Sequence, residues 1–173
     1  MSIDESLSDA GWKPLRPAAV FAVWAASALL LVIHAVSAEG WIPLVDSANL
    51  ALHEAGHPII GLFSNRLMVY GGTIFQLLFP VLVIVHFARE RDAVGAAAGG
   101  VWLGENLLNI ARYMADAREH VLPLVGGGEH DWTEIFSRWG VLSRDVRIAG
   151  FTRWLGYALM VGAVVWLWRR FKE

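Results

Sequence analysis

The chain has 173 residues, of which 56% are hydrophobic and 17% charged, with nine tryptophans. That balance departs from the soluble average in the membrane direction, and the length suggests one domain. A net charge of −2 gives a nucleic-acid partner no electrostatic footing, and the lack of cysteine excludes disulfides and thiolate metal ligands.

Residues 1–17 read as a polar, mixed-charge tail and residues 18–173 as a single membrane domain. The first apolar segment, residues 18–38, is about 20 residues long, enough to cross a bilayer as a helix. The stretch "AVSAEG" at its end keeps a cleaved signal peptide as the alternative. A second segment, residues 47–63, is short for a span at about 17 residues. A third, residues 68–88, contains Gly71, Gly72, Gln76 and Pro80. The fourth, residues 93–114, begins rich in Gly and Ala, which permit close helix approach in lipid, and then carries Glu105, Asn106, Asn109 and Arg112. Residues 115–147 are polar and include "HDWTEIFSRWG". There Asp131 is a plausible N-cap, Glu134 completes a capping box and Gly140 ends a short amphipathic helix with Trp132, Ile135, Phe136 and Trp139 on one face. Residues 148–168 close the chain before "RRFKE".

The expected fold is therefore all-α: a polytopic membrane helix bundle with four or five hydrophobic segments. Five crossings with the N-terminus inside put nine Lys/Arg inside and five outside. If the short second segment enters without crossing, the division is seven and seven, with "RERD" and "RRFKE" inside.

The second segment holds the chemistry. In "NLALHEAGHPIIGLF", His53 and His57 are four apart and stack on one helical face, so both can reach one cation. Glu54 lies about 100° around the helix, placed to meet a water on that cation rather than the cation itself. This is the H-E-x-x-H arrangement of zinc hydrolases, in which the glutamate takes a proton from the metal's water. Zn²⁺ is the expected cofactor. Ala55 and Gly56 leave room beside it, and Pro58 predicts a kink or the end of a short re-entrant helix.

A catalytic zinc usually has three protein ligands. Two residues qualify as the third, His130 in "GGGEHDW" and Asp116 in "NLLNIARYMADAR". His130 is preferred because imidazole is a favoured zinc ligand when thiolate is absent. Asp131 is then a partner that orients His130, or the helix cap. Asn109 and Asn106 share a face; Asn109 and Gln76 are expected to bond substrate or the metal's water, or to tie helices together. Arg118 is expected to steady an oxyanion. Gly71 and Gly72 leave backbone groups open to an extended peptide, or mark a bend. His34, His86 and His120 read as structural.

"HEAGH" in a membrane helix, the Gly-Gly segment after it, and an Asn-bearing helix ending in an aspartate resemble the site-2 proteases, intramembrane zinc metalloproteases. Together with "GGTIFQLLFP", "NLLNIARYMADAR" and "LPLVGGGEHDW", they are similar over about residues 47–145 to a group of small bacterial membrane proteins. The resemblance implies His53 and His57 as ligands, Glu54 as base, Asp116 as third ligand and a peptide substrate. Asp116 here is followed by Ala117 and Arg118, not by the Asp-Gly and proline of the site-2 pattern. The expected function is a zinc-dependent, membrane-embedded hydrolase of the bacterial inner (cytoplasmic) membrane. Its expected partners are the lipid bilayer and a membrane protein or peptide substrate, with no nucleic acid. The alternatives are a metalloenzyme acting on a lipid or small molecule, and a non-catalytic protein whose metal only joins helices.

Overall fold

The computed structural model describes residues 11–37, 41–125 and 129–173. Most of the N-terminal tail, part of "AVSAEG" and the glycines at 126–128 lie outside the described residues. Within them the chain is helical with no strand, as the sequence leads one to expect. The helices are α1 (Pro17–Val36), α2 (Pro43–Gly61), α3 (Met68–Arg89), α4 (Ala93–Ala115), α5 (Asp131–Arg138) and α6 (Asp145–Lys172), with a single 3₁₀ turn at Leu142–Arg144 before α6. Three stretches are long and apolar enough to cross a membrane: α1, α3 and Leu142–Lys172.

Proline sets where two of these helices begin. Pro17 and Pro43 occupy the first turns of α1 and α2, where the missing N–H is no loss and the fixed φ suits the helix. Starting at Pro43 rather than at 47 brings Asp46 into α2. Pro58 does not end that helix, which continues to Gly61.

The bundle has two distinct ends. At one, the Lys13 N–H donates to the Arg91 carbonyl at 2.8 Å, and Val20, Ala93, Ala97 and Leu167 pack together. This joins the start of α1, the α3–α4 turn and the close of α6. At the other end, Val69 of α3, Ile110 and Met114 of α4, Ile135 and Phe136 of α5, and Ala149 of α6 form the largest apolar cluster. Both connections of α2 lie at this second end, because α1 finishes there and α3 begins there. Between them α2 dips inward. Its Asn49 reaches Trp102 and Glu105 midway along α4, while Tyr113, one residue short of Met114, lies against His53.

Small residues allow the closest approaches. A β-carbon on Gly56 would lie 2.1 Å from the Gly71 carbonyl oxygen, and one on Gly71 would lie 2.4 Å from that of Gly56. Gly104 and Gly156 clasp α4 to α6 in the same way, each 2.7 Å from the other's carbonyl oxygen on that construction. Gly71 and Gly72 are thus interior to α3 and pressed against α2. They neither bend the chain nor open its backbone to a peptide edge, since α3 keeps its backbone groups in the helix.

Candidate metal centre

The inward face of α2 is polar. Its buried residues are Asp46, Asn49, His53 and Gly56, a helical spacing that sets one stripe against α3 and α4. The glycine pair lets the two backbones touch, and Gly72 makes room for the His53 ring, which a β-carbon there would meet at 2.5 Å. His53 and His57 therefore sit side by side, their ring centroids 4.8 Å apart.

A relay of hydrogen bonds decides which ring nitrogen of His53 is free. The Asp46 carboxylate accepts from the Ile42 N–H and, through Oδ1, from Asn109 Nδ2 at 2.7 Å. Asn109 must then offer Oδ1 to Gln76 Nε2, at 2.8 Å, and Gln76 must offer Oε1 to His53 Nδ1, at 3.2 Å. A carboxylate accepts and an amide side chain has one face of each kind, so the polarity runs one way. His53 Nδ1 carries the proton, and Nε2 is left to face the site. His57 reaches the same state by a shorter route, with Nδ1 donating to the Met68 carbonyl at 3.0 Å. Metal-binding imidazoles are fixed in this manner, through the nitrogen that does not ligate.

Both free nitrogens meet one carboxylate. Asp131 Oδ2 lies 2.9 Å from His53 Nε2 and 3.2 Å from His57 Nε2. Those ligand atoms of His53, His57 and Asp131 all fall within 4.8 Å of one another, a group that could hold a metal ion. Burial pushes the Asp131 carboxyl up, but when His53 and His57 carry a second proton on Nε2 their hydrogen bonds and charge outweigh burial and hold the group below the usual carboxylate range. Two lone pairs and an anionic oxygen converging on one point repel unless protons on the rings or a cation lie between them. The donor set fits a divalent metal.

The third member of this group differs from the sequence expectation, which placed His130 or Asp116 there. His130, not Asp131, caps α5, its Nδ1 accepting the Thr133 N–H at 3.4 Å. Its Nε2 turns to Asp116 Oδ2 at 3.4 Å, and burial keeps the ring below its ordinary pKa against the opposing pull of Asp116. Asp116 in turn accepts from the Val121 and Leu122 N–H groups and organises the loop after α4. With the cap taken by its neighbour, Asp131 is released to point at α2, and its own N–H donates to the Tyr113 hydroxyl at 3.2 Å. The expected capping box does not form either, as Glu134 pairs with Arg138 one turn on.

The remaining residues divide cleanly. Glu54 faces the cavity beside the histidines and, among the described residues, has no hydrogen bond or ion pair. Gln76 and Asn109 are drawn into the relay. Asn106 turns back to the Trp102 carbonyl of its own helix. Arg118 is held by Asp145 through two contacts of 2.8 Å, so the oxyanion role expected of it has no geometric support. His120 bonds Thr133 and the Ala117 carbonyl, and His86 lies against Phe87. His34 lines the cavity, with Nε2 3.9 Å from Glu105 Oε1.

Sequence reasoning missed Asp46, Asn49 and Tyr113, and made no use of Glu105. Glu105 accepts from Asn49 at 2.7 Å, and both Glu105 and Asp46 are fully buried, so two carboxyl groups lie at the root of this polar stripe. A readable signal existed: Asp46, Asn49 and His53 fall at i, i+3 and i+7, and Glu105, Asn109 and Tyr113 at i, i+4 and i+8.

A cavity of about 1350 Å³ is lined by His53, His57 and Asp131, by residues of α1, α2, α3, α4 and α6, and by the apolar loop Val121–Val125. Compared with protein-family profiles, curated proteins and solved structures, the chain matches none.

Proposed function

We propose that the protein is a membrane-embedded metal-dependent hydrolase, with Zn²⁺ held by His53, His57 and Asp131 and with Glu54 as general base. The observation that carries this reading is the convergence of two orientation-locked Nε2 atoms and one carboxylate oxygen on a single point, beside an unpaired glutamate. Two imidazoles and a carboxylate form a donor set that zinc hydrolases use. When bound, the metal would supply a water of lowered pKa and a Lewis acid for a carbonyl. Glu54, unpaired beside the site, would take a proton from the attacking water and pass it to the leaving group. Three protein ligands leave one position open, and His130 faces Asp116 instead, which favours a catalytic over a purely structural site.

A peptide bond within or beside the bilayer is the first substrate class, on the strength of the H-E-x-x-H arrangement and the resemblance it carries. A lipid ester is the second, favoured by the arginines described below. Four crossings with α2 re-entrant best suit the placement of both α2 connections at one end of the bundle. We place Arg89, Arg91, Arg169, Arg170 and Lys172, which then share one face, on the cytoplasmic side of a bacterial inner membrane, with the cavity toward the other face.

The test is metal analysis of detergent-purified protein, followed by hydrolysis of a fluorogenic membrane peptide. Near-stoichiometric zinc, kept in Glu54→Gln while turnover is lost, is expected. A wild-type protein that binds no divalent metal overturns the reading.

A further inference from the structure

The lining of the cavity carries a feature that metal-assisted hydrolysis leaves unused. Arg112 and Arg153 both belong to it, from α4 and α6, together with His34 and Trp41. Arg112 sits over the Trp41 ring at 5.6 Å, and both guanidinium groups lie within electrostatic reach of the His34 ring. Among the described residues neither arginine has an ion pair. Asp46, Glu105 and Asp131 are committed to other partners: Asp46 to Ile42 and Asn109, Glu105 to Asn49, Asp131 to the histidines. Cationic side chains on membrane helices that are not paired are expensive and mark ligand paths. Two guanidinium forks on one wall suit the oxygens of a phosphate.

We propose that the Arg112–Arg153 wall binds the phosphate of an anionic membrane lipid. Location argues for a lipid over a soluble anion. Arg153 lies on a helix apolar enough to cross the membrane, and its neighbours Phe151 and Trp154 are 62% and 63% exposed, an outward apolar surface against which acyl chains can lie. Tryptophan and arginine side by side on such a helix are found at headgroup depth. On α4, Arg112 is one residue from Tyr113, whose ring lies 5.8 Å from that of His53. A headgroup held there brings the lipid's upper, ester-bearing portion next to the metal centre. The binding itself needs neither metal nor turnover, so it stands or falls separately from the hydrolase reading.

Native mass spectrometry of the detergent-purified, full-length Glu54→Gln protein provides the test, with dioleoyl phosphatidylglycerol and dioleoyl phosphatidylcholine as probes. Phosphatidylglycerol should be retained in preference to phosphatidylcholine. Retention should fall roughly 30-fold in R112Q/R153Q, at about 1 kcal/mol for each charge removed. The charge-conserving R112K/R153K should hold the lipid, which separates lost charge from lost fold. Inorganic phosphate at millimolar concentration should fail to displace it. Equal retention of the two lipids by the unsubstituted arginines, or undiminished retention in R112Q/R153Q, overturns the proposal, as does complete displacement by free phosphate.

Discussion

The two ends of this bundle are held together by different physics. At the end that joins the start of α1 to the close of α6, the contacts are apolar and aromatic. Trp12 packs edge-on to Trp166 at 5.2 Å, Trp24 lies 4.5 Å from Trp168, and Arg170 and Lys172 cap the rings of Trp12 and Trp168. From the middle of α4 to the other end lie Asp46, Glu105, His53, Asp116, His130, Asp131 and Asp145, all wholly or largely out of solvent and each tied to named partners. Apolar packing is tolerant, because many side chains of about the right volume serve. A buried polar relay is not, because each donor left without its acceptor costs a desolvation penalty. One end is held by interchangeable apolar volume, and the other by specific polar partners.

The sharpest way to break this division is through the ligand set. His53→Ala and Asp131→Ala should each weaken zinc binding beyond the roughly 100-fold that loss of an outer partner can cause, measured by competition with a chelating dye. His130→Ala should hold zinc far better than either, though with a less stable α5, since it loses a cap and the Asp116 contact. If His130→Ala releases the metal and Asp131→Ala keeps it, the assigned centre is wrong.

Next in size is Glu54→Gln, for which turnover should fall by about 10²–10⁴ with zinc retained. Packing changes should then separate the two ends. Gly56→Val forces a β-carbon into the Gly71 carbonyl and should destabilise the protein by about 3 kcal/mol or more, with metal affinity lost in parallel. Leu167→Ala removes a fully buried side chain at the opposite end and should cost about 2 kcal/mol or more, leaving metal affinity unchanged. Thermal unfolding in detergent, with and without zinc, reads both.

A subtler change tests the relay. Asn109→Leu leaves Gln76 without its acceptor and frees the His53 tautomer, so zinc affinity should drop about 10- to 100-fold although no ligand has been touched. The smallest expected effect on the site is that of Arg118→Gln, which loosens the tie to Asp145 and should lower thermal stability without altering zinc affinity. A loss of turnover in that variant at full zinc occupancy would restore the oxyanion role that the geometry withholds.

The helices themselves were legible because hydrophobic length and proline position are local signals. Each of the five long helices covers an apolar segment visible in the chain, with boundaries displaced by a few residues at most. The pairing of His53 with His57 was legible too, since four-residue spacing fixes one face of a helix whatever surrounds it. Gln76 and Asn109 could be picked out as polar groups in apolar helices, but their order in the relay could not. That order depends on Asp46, which enters α2 only because the helix starts at Pro43.

The third member of the group beside His53 and His57 is where the structure differs from local reasoning. "EHDW" contains a histidine and an aspartate side by side, and capping preferences favour the aspartate, whereas His130 caps α5. The sequence by itself determined a helical chain with segments long and apolar enough to cross a membrane, and a helical face that pairs His53 with His57. Only the tertiary structure decided that Asp116 draws His130 to the cap, that Tyr113 receives the Asp131 N–H, and that the Asp131 side chain is thereby turned toward α2. The reason is geometric. A hydrogen bond between residues 78 positions apart depends on how helices pack, and no periodicity within one of them encodes it.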